Sequence, residues 1–239
     1  MESGIIFDKV SFSYQGKTNQ INKVSFQIPS GSFYGITGLN GSGKSTLVLL
    51  MNGLIPHQIE GNLTGNVYVD QVNTKDKPVH YFAKKIGMVF QNPDFMLFNL
   101  TVKEEIEFGL KNLHLNQHNK RTRQALASVA MEEFIDRDPQ TLSFGQKQKI
   151  CLAATVAQNS SYIILDEPTA MLDYKSSLNL YRLLRQLNHQ GKTIIIVEHD
   201  INLLKKYSNM MMVIDKGEIT LSGKTDKVLT PYEKNYYSY

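Results

Sequence analysis

Cysteine is nearly absent: Cys151 is the one thiol among 239 residues, so no disulfide can form within the chain. With no secretory pattern ahead of Ile5, that scarcity predicts a reducing, cytosolic setting, and Cys151 reads as a small core residue. Long apolar runs are missing too. The longest candidates are short patches such as residues 210–214, far below the roughly 18 residues of a membrane-spanning helix, so any membrane role requires a partner. Charge of one sign is also scarce. The formal net charge is +4 with no dense Lys/Arg block, which gives no support for a nucleic-acid partner. No internal repeat and no low-complexity segment occurs.

Against that plain background one stretch stands out, Gly38-Leu39-Asn40-Gly41-Ser42-Gly43-Lys44-Ser45-Thr46. It fits the G-x-x-x-x-G-K-[ST] phosphate-binding frame, in which glycines let the backbone wrap closely and aim successive N–H groups inward at phosphate oxygens. Lys44 has the charge to neutralise β/γ-phosphates, and Ser45 offers a hydroxyl to Mg²⁺. Residues 33–37 read as a buried strand and residues 47–51 as a helix, so the loop lies where a helix dipole favours an anion. The predicted site binds a nucleotide, and one nucleotide-binding unit over residues 1–239 is the simplest domain reading.

Further motifs follow in chain order. Residues 4–14 and 21–28 are β-rich and read as a hairpin. Tyr14 closes the first strand, either to stack on an adenine face or to pack at the sheet edge. Residues 53–65 read as turn-rich and 66–70 as a strand. The strand at residues 86–90 delivers Gln91 to an exit loop, where an amide oxygen ligates a metal or holds water, or simply occupies a turn. Thr101 with Glu104 has capping-box spacing, and a helical segment with a break near residues 115–119 continues to about residue 134. Ser143 with Gln146 repeats the capping-box spacing ahead of a helical run to residue 157, whose first amides serve either as a cap or as an anion site.

Residues 161–167 form an apolar strand ending in two carboxylates. There Asp166 suits a Mg²⁺ shell and Glu167 suits polarising a water. A helix is predicted over residues 178–187, and a buried strand at residues 193–197 brings His199 to the same level as Asp166, within reach of a γ-phosphate. A closing hairpin spans residues 211–221, and residues 231–239 read as a Tyr-rich tail to which composition assigns no role, although any exposed rings would suit a contact surface.

Together these motifs resemble the ATP-binding subunit of ATP-binding-cassette (ABC) transporters over nearly the whole chain. The resemblance implies an α/β fold: a P-loop ATPase core sheet with an antiparallel β subdomain and a helical subdomain at about residues 99–158. It implies ATP and Mg²⁺ as ligands, Tyr14 as adenine-stacking ring, residues 38–46 as Walker A, and Gln91 as the Q-loop. It further implies Ser143, Gly145 and Gln146 as the signature, Asp166 as the end of Walker B, Glu167 as catalytic base and His199 as switch histidine. Residues 52–56 and 90–94, with Leu97-Phe98, look like the energy-coupling-factor and cobalt-type ATPases that energise vitamin or metal-ion uptake.

The sequence departs from the family in two motifs. Phe144 replaces the first glycine of the usual L-S-G-G-Q signature, which implies one weakened composite site and a non-identical second ATPase subunit, a second copy of the chain being the other option. Phe95-Met96 replaces the usual acidic-glutamine run, implying a more apolar dock for polytopic membrane subunits at the cytoplasmic face. The chain also ends soon after the closing hairpin, where many relatives carry a helical extension that holds the dimer. A soluble cassette acting on ribosomes or DNA is the rival reading, and would call for paired cassettes or a long charged insertion. A P-loop kinase would have no use for the signature, Glu167 and His199 set.

Overall fold

The computed structural model describes residues 3–16 and 18–236, with side chains described through Tyr232. Two sheets organise the chain. The smaller is antiparallel, in the order β2-β1-β4-β5, built from β1 (Gly4–Tyr14), β2 (Ile21–Pro29), β4 (Gly61–Val69) and β5 (Val72–Asn73). The hairpin predicted at the start is β1 against β2, with Gly4 opposite Pro29 and Phe12 opposite Ile21.

The larger sheet has the order β10-β9-β3-β8-β7-β6. Its members are β3 (Phe33–Thr37), β6 (Ile86–Val89), β7 (Tyr162–Asp166), β8 (Thr193–Val197), β9 (Met210–Asp215) and β10 (Glu218–Lys224). Strands β9, β3, β8, β7 and β6 run parallel, and β10 joins as an antiparallel edge. Their continuous apolar runs follow from burial on both faces. Ile194 and Ile196 of β8 face one core while Ile195 and Val197 face the other, and Ile163 and Ile164 of β7 divide the same way. One core joins this sheet to the antiparallel sheet through α1 (Lys44–Met51). The other joins it to α4 (Val102–Asn112), α5 (His118–Ser128), α6 (Phe144–Ala157) and α7 (Tyr174–His189). Each fully buried Leu, Ile or Val there contributes about 1.5–3 kcal/mol.

The remaining helices are short connectors or close the sheet's β9 side: α2 (Leu54–His57), α3 (Val79–Ala83), α8 (Ile201–Tyr207) and α9 (Thr225–Tyr236). Both capping boxes form reciprocally. Thr101 Oγ1 accepts from Glu104 N at 3.1 Å while Glu104 Oε2 accepts from Thr101 N at 3.2 Å. Gln146 Oε1 accepts from Ser143 N at 2.9 Å and Ser143 Oγ from Gln146 N at 3.4 Å.

Four expectations are corrected. Residues 61–65, read as turn, are the first half of β4, because Gly61 to Thr64 pair with Tyr14 to Ser11 across a register shift. The helix expected from residue 178 starts at Tyr174, because the Asp173 carboxylate accepts from Ser176 N at 2.9 Å and caps it. The helical run expected to residue 134 stops at Ser128, and residues 132–134 form a separate 3₁₀ turn. The tail expected from residue 231 belongs in part to α9, whose Val228, Leu229 and Tyr232 share one buried face against the core. Tyr232 is therefore buried rather than displayed, and the later tyrosine side chains lie outside the described residues.

Candidate functional site

The phosphate-binding frame leaves the C-terminal end of β3, a central strand between β8 and β9, and feeds directly into α1. Gly38 sits at φ 151° against β9, where an added side-chain carbon would collide with the Ile214 carbonyl oxygen. Gly41 at φ 77° has open space on that side. The loop is braced from neighbouring segments: Gln20 Nε2 donates to Gly41 O at 2.9 Å, and Gly217 N donates to Ser42 O at 2.9 Å.

Lys44 is buried, and its Nζ donates to the carbonyls of Gly38 and Leu39 at 3.0 Å each. Burial lowers its pKa from the ordinary lysine value, opposed by the Glu167 and Asp166 carboxylates. Tyr14 OH meets Thr46 Oγ1 at 3.1 Å and its ring packs edge-on against Phe12, so the aromatic predicted near the nucleotide does border the loop.

Parallel pairing sets β7 beside β8 and brings their exits together, Asp166 lying opposite Val197. Asp166 is half-buried at the end of β7, and burial raises its pKa, partly offset by a hydrogen bond from Ser45. Its Oδ1 is buried without a partner. Glu167 follows at φ 47°, its N–H held by Val197 O at 3.0 Å. Both of its carboxylate oxygens are engaged: Oε1 accepts from His199 Nε2 at 2.9 Å and Oε2 from Gln91 Nε2 at 3.3 Å.

A cavity of about 410 Å³ is lined by Gln20, residues of the loop from Asn40 to Thr46, Gln91 and Glu167. Leu39 and Asn40 border an adjoining opening with Glu167 and His199. The tertiary fold thus gathers Tyr14, residues 38–46, Gln91, Asp166, Glu167 and His199. It leaves the signature elsewhere: Ser143, Gly145 and Gln146 line a different cleft of about 200 Å³ with Leu172 and Ser176, and none of the described residues lines both.

Comparison with known proteins decides the family. Residues 21–170 match the ABC transporter family. An ABC transporter ATP-binding protein of Pyrococcus abyssi is 39% identical over 230 residues, covering 95% of this chain and 82% of that protein. One from Methanosarcina acetivorans is 40% identical over 235 residues, covering 95% and 85%. The chain belongs to the ABC transporter family. Among solved structures, cbiO1 of Clostridium perfringens, described as part of the ABC transporter complex cbiONQ, is 29% identical with a TM-score of 0.87, covering 98% of this cassette and 93% of that one. A dimeric ABC cassette in a post-hydrolysis state with bound ADP and Pi is 29% identical with a TM-score of 0.80, covering 92% and 98%.

The cassette is thus an ATPase of the ABC fold that works with ATP and Mg²⁺, in a family whose cassettes form dimers and associate with membrane subunits. Among the described residues no helix is long and apolar enough to cross a membrane. The local donor set fits Mg²⁺: a hydroxyl, a carboxylate with one unpartnered buried oxygen, and an amide are the hard oxygen ligands such a cation takes. Ser45, Asp166 and Gln91 are the residues that would hold it.

Some residues around the site carry no motif of their own. Gln20 lies in the β1–β2 connection, and nothing local marks it as a loop contact. Gln148 of α6 is buried and donates to Gln91 O at 3.0 Å, tying the signature helix to the exit of β6. Thr169 and Glu198 meet directly behind the Glu167–His199 pair. Their one sequence signal is adjacency to the acidic and histidine motifs.

Proposed function

We propose that this cassette is the ATP-hydrolysing subunit of an energy-coupling-factor-type importer of a vitamin, metal ion or similar micronutrient. It would act at the cytoplasmic face of the cell membrane with a second, non-identical cassette and polytopic subunits. The near full-length likeness to cbiO1 supports the subfamily, as do residues 52–56 and 90–94. The observation that carries the mechanical reading is the separation of the loop cavity from the signature cleft on one chain. Each chain then holds half of two composite sites, and ATP favours the closed pair because it bridges them.

In that reading the N–H groups of residues 38–46 and Lys44 hold the phosphates, and Tyr14 stacks on the adenine. Ser143, Gly145 and Gln146 close over nucleotide held by the other cassette. Mg²⁺, when bound, neutralises the β- and γ-phosphate oxygens. Glu167 orients the attacking water and accepts its proton, while His199 holds that carboxylate and reaches the γ-phosphate. Each Glu167 oxygen accepts one hydrogen bond, from Gln91 or from His199, which orient the carboxylate and leave a lone pair on each oxygen for the attacking water. Hydrolysis removes the bridging γ-phosphate, and the pair reopens.

Glu167→Gln keeps the shape of the site but loses the base. It is expected to bind ATP, accumulate as a closed dimer on size exclusion with MgATP, and release almost no phosphate. Hydrolysis at the wild-type rate would sink the assignment. Co-purification with a polytopic protein from detergent-solubilised membranes tests the importer reading, and a partner-free cassette overturns it.

A further inference from the structure

Glu198 is a buried carboxylate, 4% exposed, that none of the roles above uses. It lies immediately past β8, and its N–H donates to Ile36 O of β3 at 3.0 Å, so its backbone is anchored to the strand that carries the phosphate loop. Its two oxygens divide their work. Oε1 accepts from the backbone N–H of His199 at 2.8 Å and of Asp200 at 3.2 Å. Oε2 accepts from Thr169 Oγ1 at 2.5 Å and from Tyr181 OH at 3.4 Å. Burying a carboxylate is costly unless its lone pairs are satisfied, and here four donors converge on it.

All four partners donate to this carboxylate. A Gln here could keep the two amides on its oxygen and donate to the two hydroxyls, which would reverse direction, whereas an apolar side chain of similar length, Met, takes the acceptor away from all four. Thr169 lies in the turn that begins at Glu167, closed by Ala170 N donating to Glu167 O at 3.3 Å. That turn runs on to Leu172, which lines the signature cleft. His199 and Glu167 meet at 2.9 Å in front of this clamp.

We propose that Glu198 is a positioning residue for ATP hydrolysis. It locks the backbone of His199 and the turn after Glu167 to the phosphate-loop strand, so that the histidine and the base meet in register. The inference rests on the reading of Glu167 as base and His199 as its partner. Its effect falls on the rate of the chemical step. Nucleotide affinity is left alone, because none of the Glu198 contacts involves residues 38–46.

The test uses the complex purified from detergent-solubilised membranes, with steady-state ATPase kinetics, ATP-analogue binding and thermal melting. Glu198→Met, which removes both acceptor oxygens at similar length, is expected to lower kcat by about 10- to 100-fold through misplacement of the reacting groups, with KM and ATP affinity within about twofold. Thr169→Val should lower kcat in the same way. The double variant should be no slower than Glu198→Met alone, since both remove one clamp. Thr169→Ser, which keeps the hydroxyl, should restore a near wild-type rate. The proposal is overturned if Glu198→Met retains its kcat, or if the two single effects multiply. It is equally overturned if kcat, affinity and melting temperature fall together and Thr169→Ser gives no rescue. Glu167→Gln run alongside separates the two ideas. Wild-type turnover there removes the base assignment, whereas an inactive Glu167→Gln beside a fully active Glu198→Met removes only the clamp.

Discussion

A matched pair of glycine substitutions probes why the phosphate loop holds its path. In Gly38→Ala the new methyl would overlap the Ile214 carbonyl oxygen of β9 and lie 3.0 Å from Ser42 Oγ, at φ 151°. The obstacle is strand backbone, which cannot rotate aside like a side-chain tip. Strained backbone costs about 1–3 kcal/mol and an overpacked methyl a further ~1–3 kcal/mol. Together they remove about 2–6 kcal/mol of a total stability on the order of 5–15 kcal/mol. For a chain of this size the melting temperature should fall by about 5–20 °C. Gly41→Ala meets nothing within 4 Å and bears only the left-handed backbone penalty, about 1–2 kcal/mol. Circular dichroism melts without nucleotide measure the two directly. If Gly41→Ala melts as low as Gly38→Ala, close approach to β9 is not what shapes the loop.

Lys44→Ala removes a buried ammonium that donates to the loop carbonyls and lines the loop cavity; in the proposed reading that group holds phosphate, so the variant should weaken ATP binding about 10- to 100-fold. Titration with a fluorescent ATP analogue checks this, and a change below about twofold refutes it. Phe144→Gly is expected to raise the ATPase rate of the assembled complex, and an unchanged rate rejects the weakened composite site. Asp70 joins the end of β4 to the central sheet through Lys85 Nζ at 2.8 Å and the Tyr162 hydroxyl. Burial pushes its pKa up, but those hydrogen bonds outweigh it and hold the group below its ordinary 3.8. Its stabilisation is therefore present in full above pH 3.8 and lost as acid carries the solution through the lower folded value. Wild type should melt above Asp70→Asn at neutral pH, with the gap closing below pH 3.8; a gap that persists there refutes the linkage.

How much of this was legible beforehand follows the range of the interactions. The capping boxes at Thr101 and Ser143 were readable because donor and acceptor lie three residues apart. The strands around Ile36, Ile164 and Ile195 were readable because burial on both faces leaves an unbroken apolar run. The first half of β4 was not readable, because residues 61–65 look like a turn until β1, some fifty positions earlier, supplies a partner. The burial of Tyr232 was not readable for the same reason: it depends on α9 docking to β9 and β10, and no local pattern announces that contact.

The sequence by itself determined the chemistry on offer. Residues 38–46 specify phosphate binding through a local frame, and Asp166, Glu167 and His199 are marked by the strands that deliver them. Only the tertiary structure decided how these groups meet. Parallel pairing of β7 with β8 sets Glu167 against His199, and the exit of β6 brings Gln91 to its other oxygen. Folding likewise made Gln20 a brace for the loop and Glu198 a four-donor clamp. The reason is physical: a phosphate loop is specified by neighbours along the chain, whereas a hydrogen bond between side chains 32 or 76 positions apart exists only once the sheet has aligned their strands.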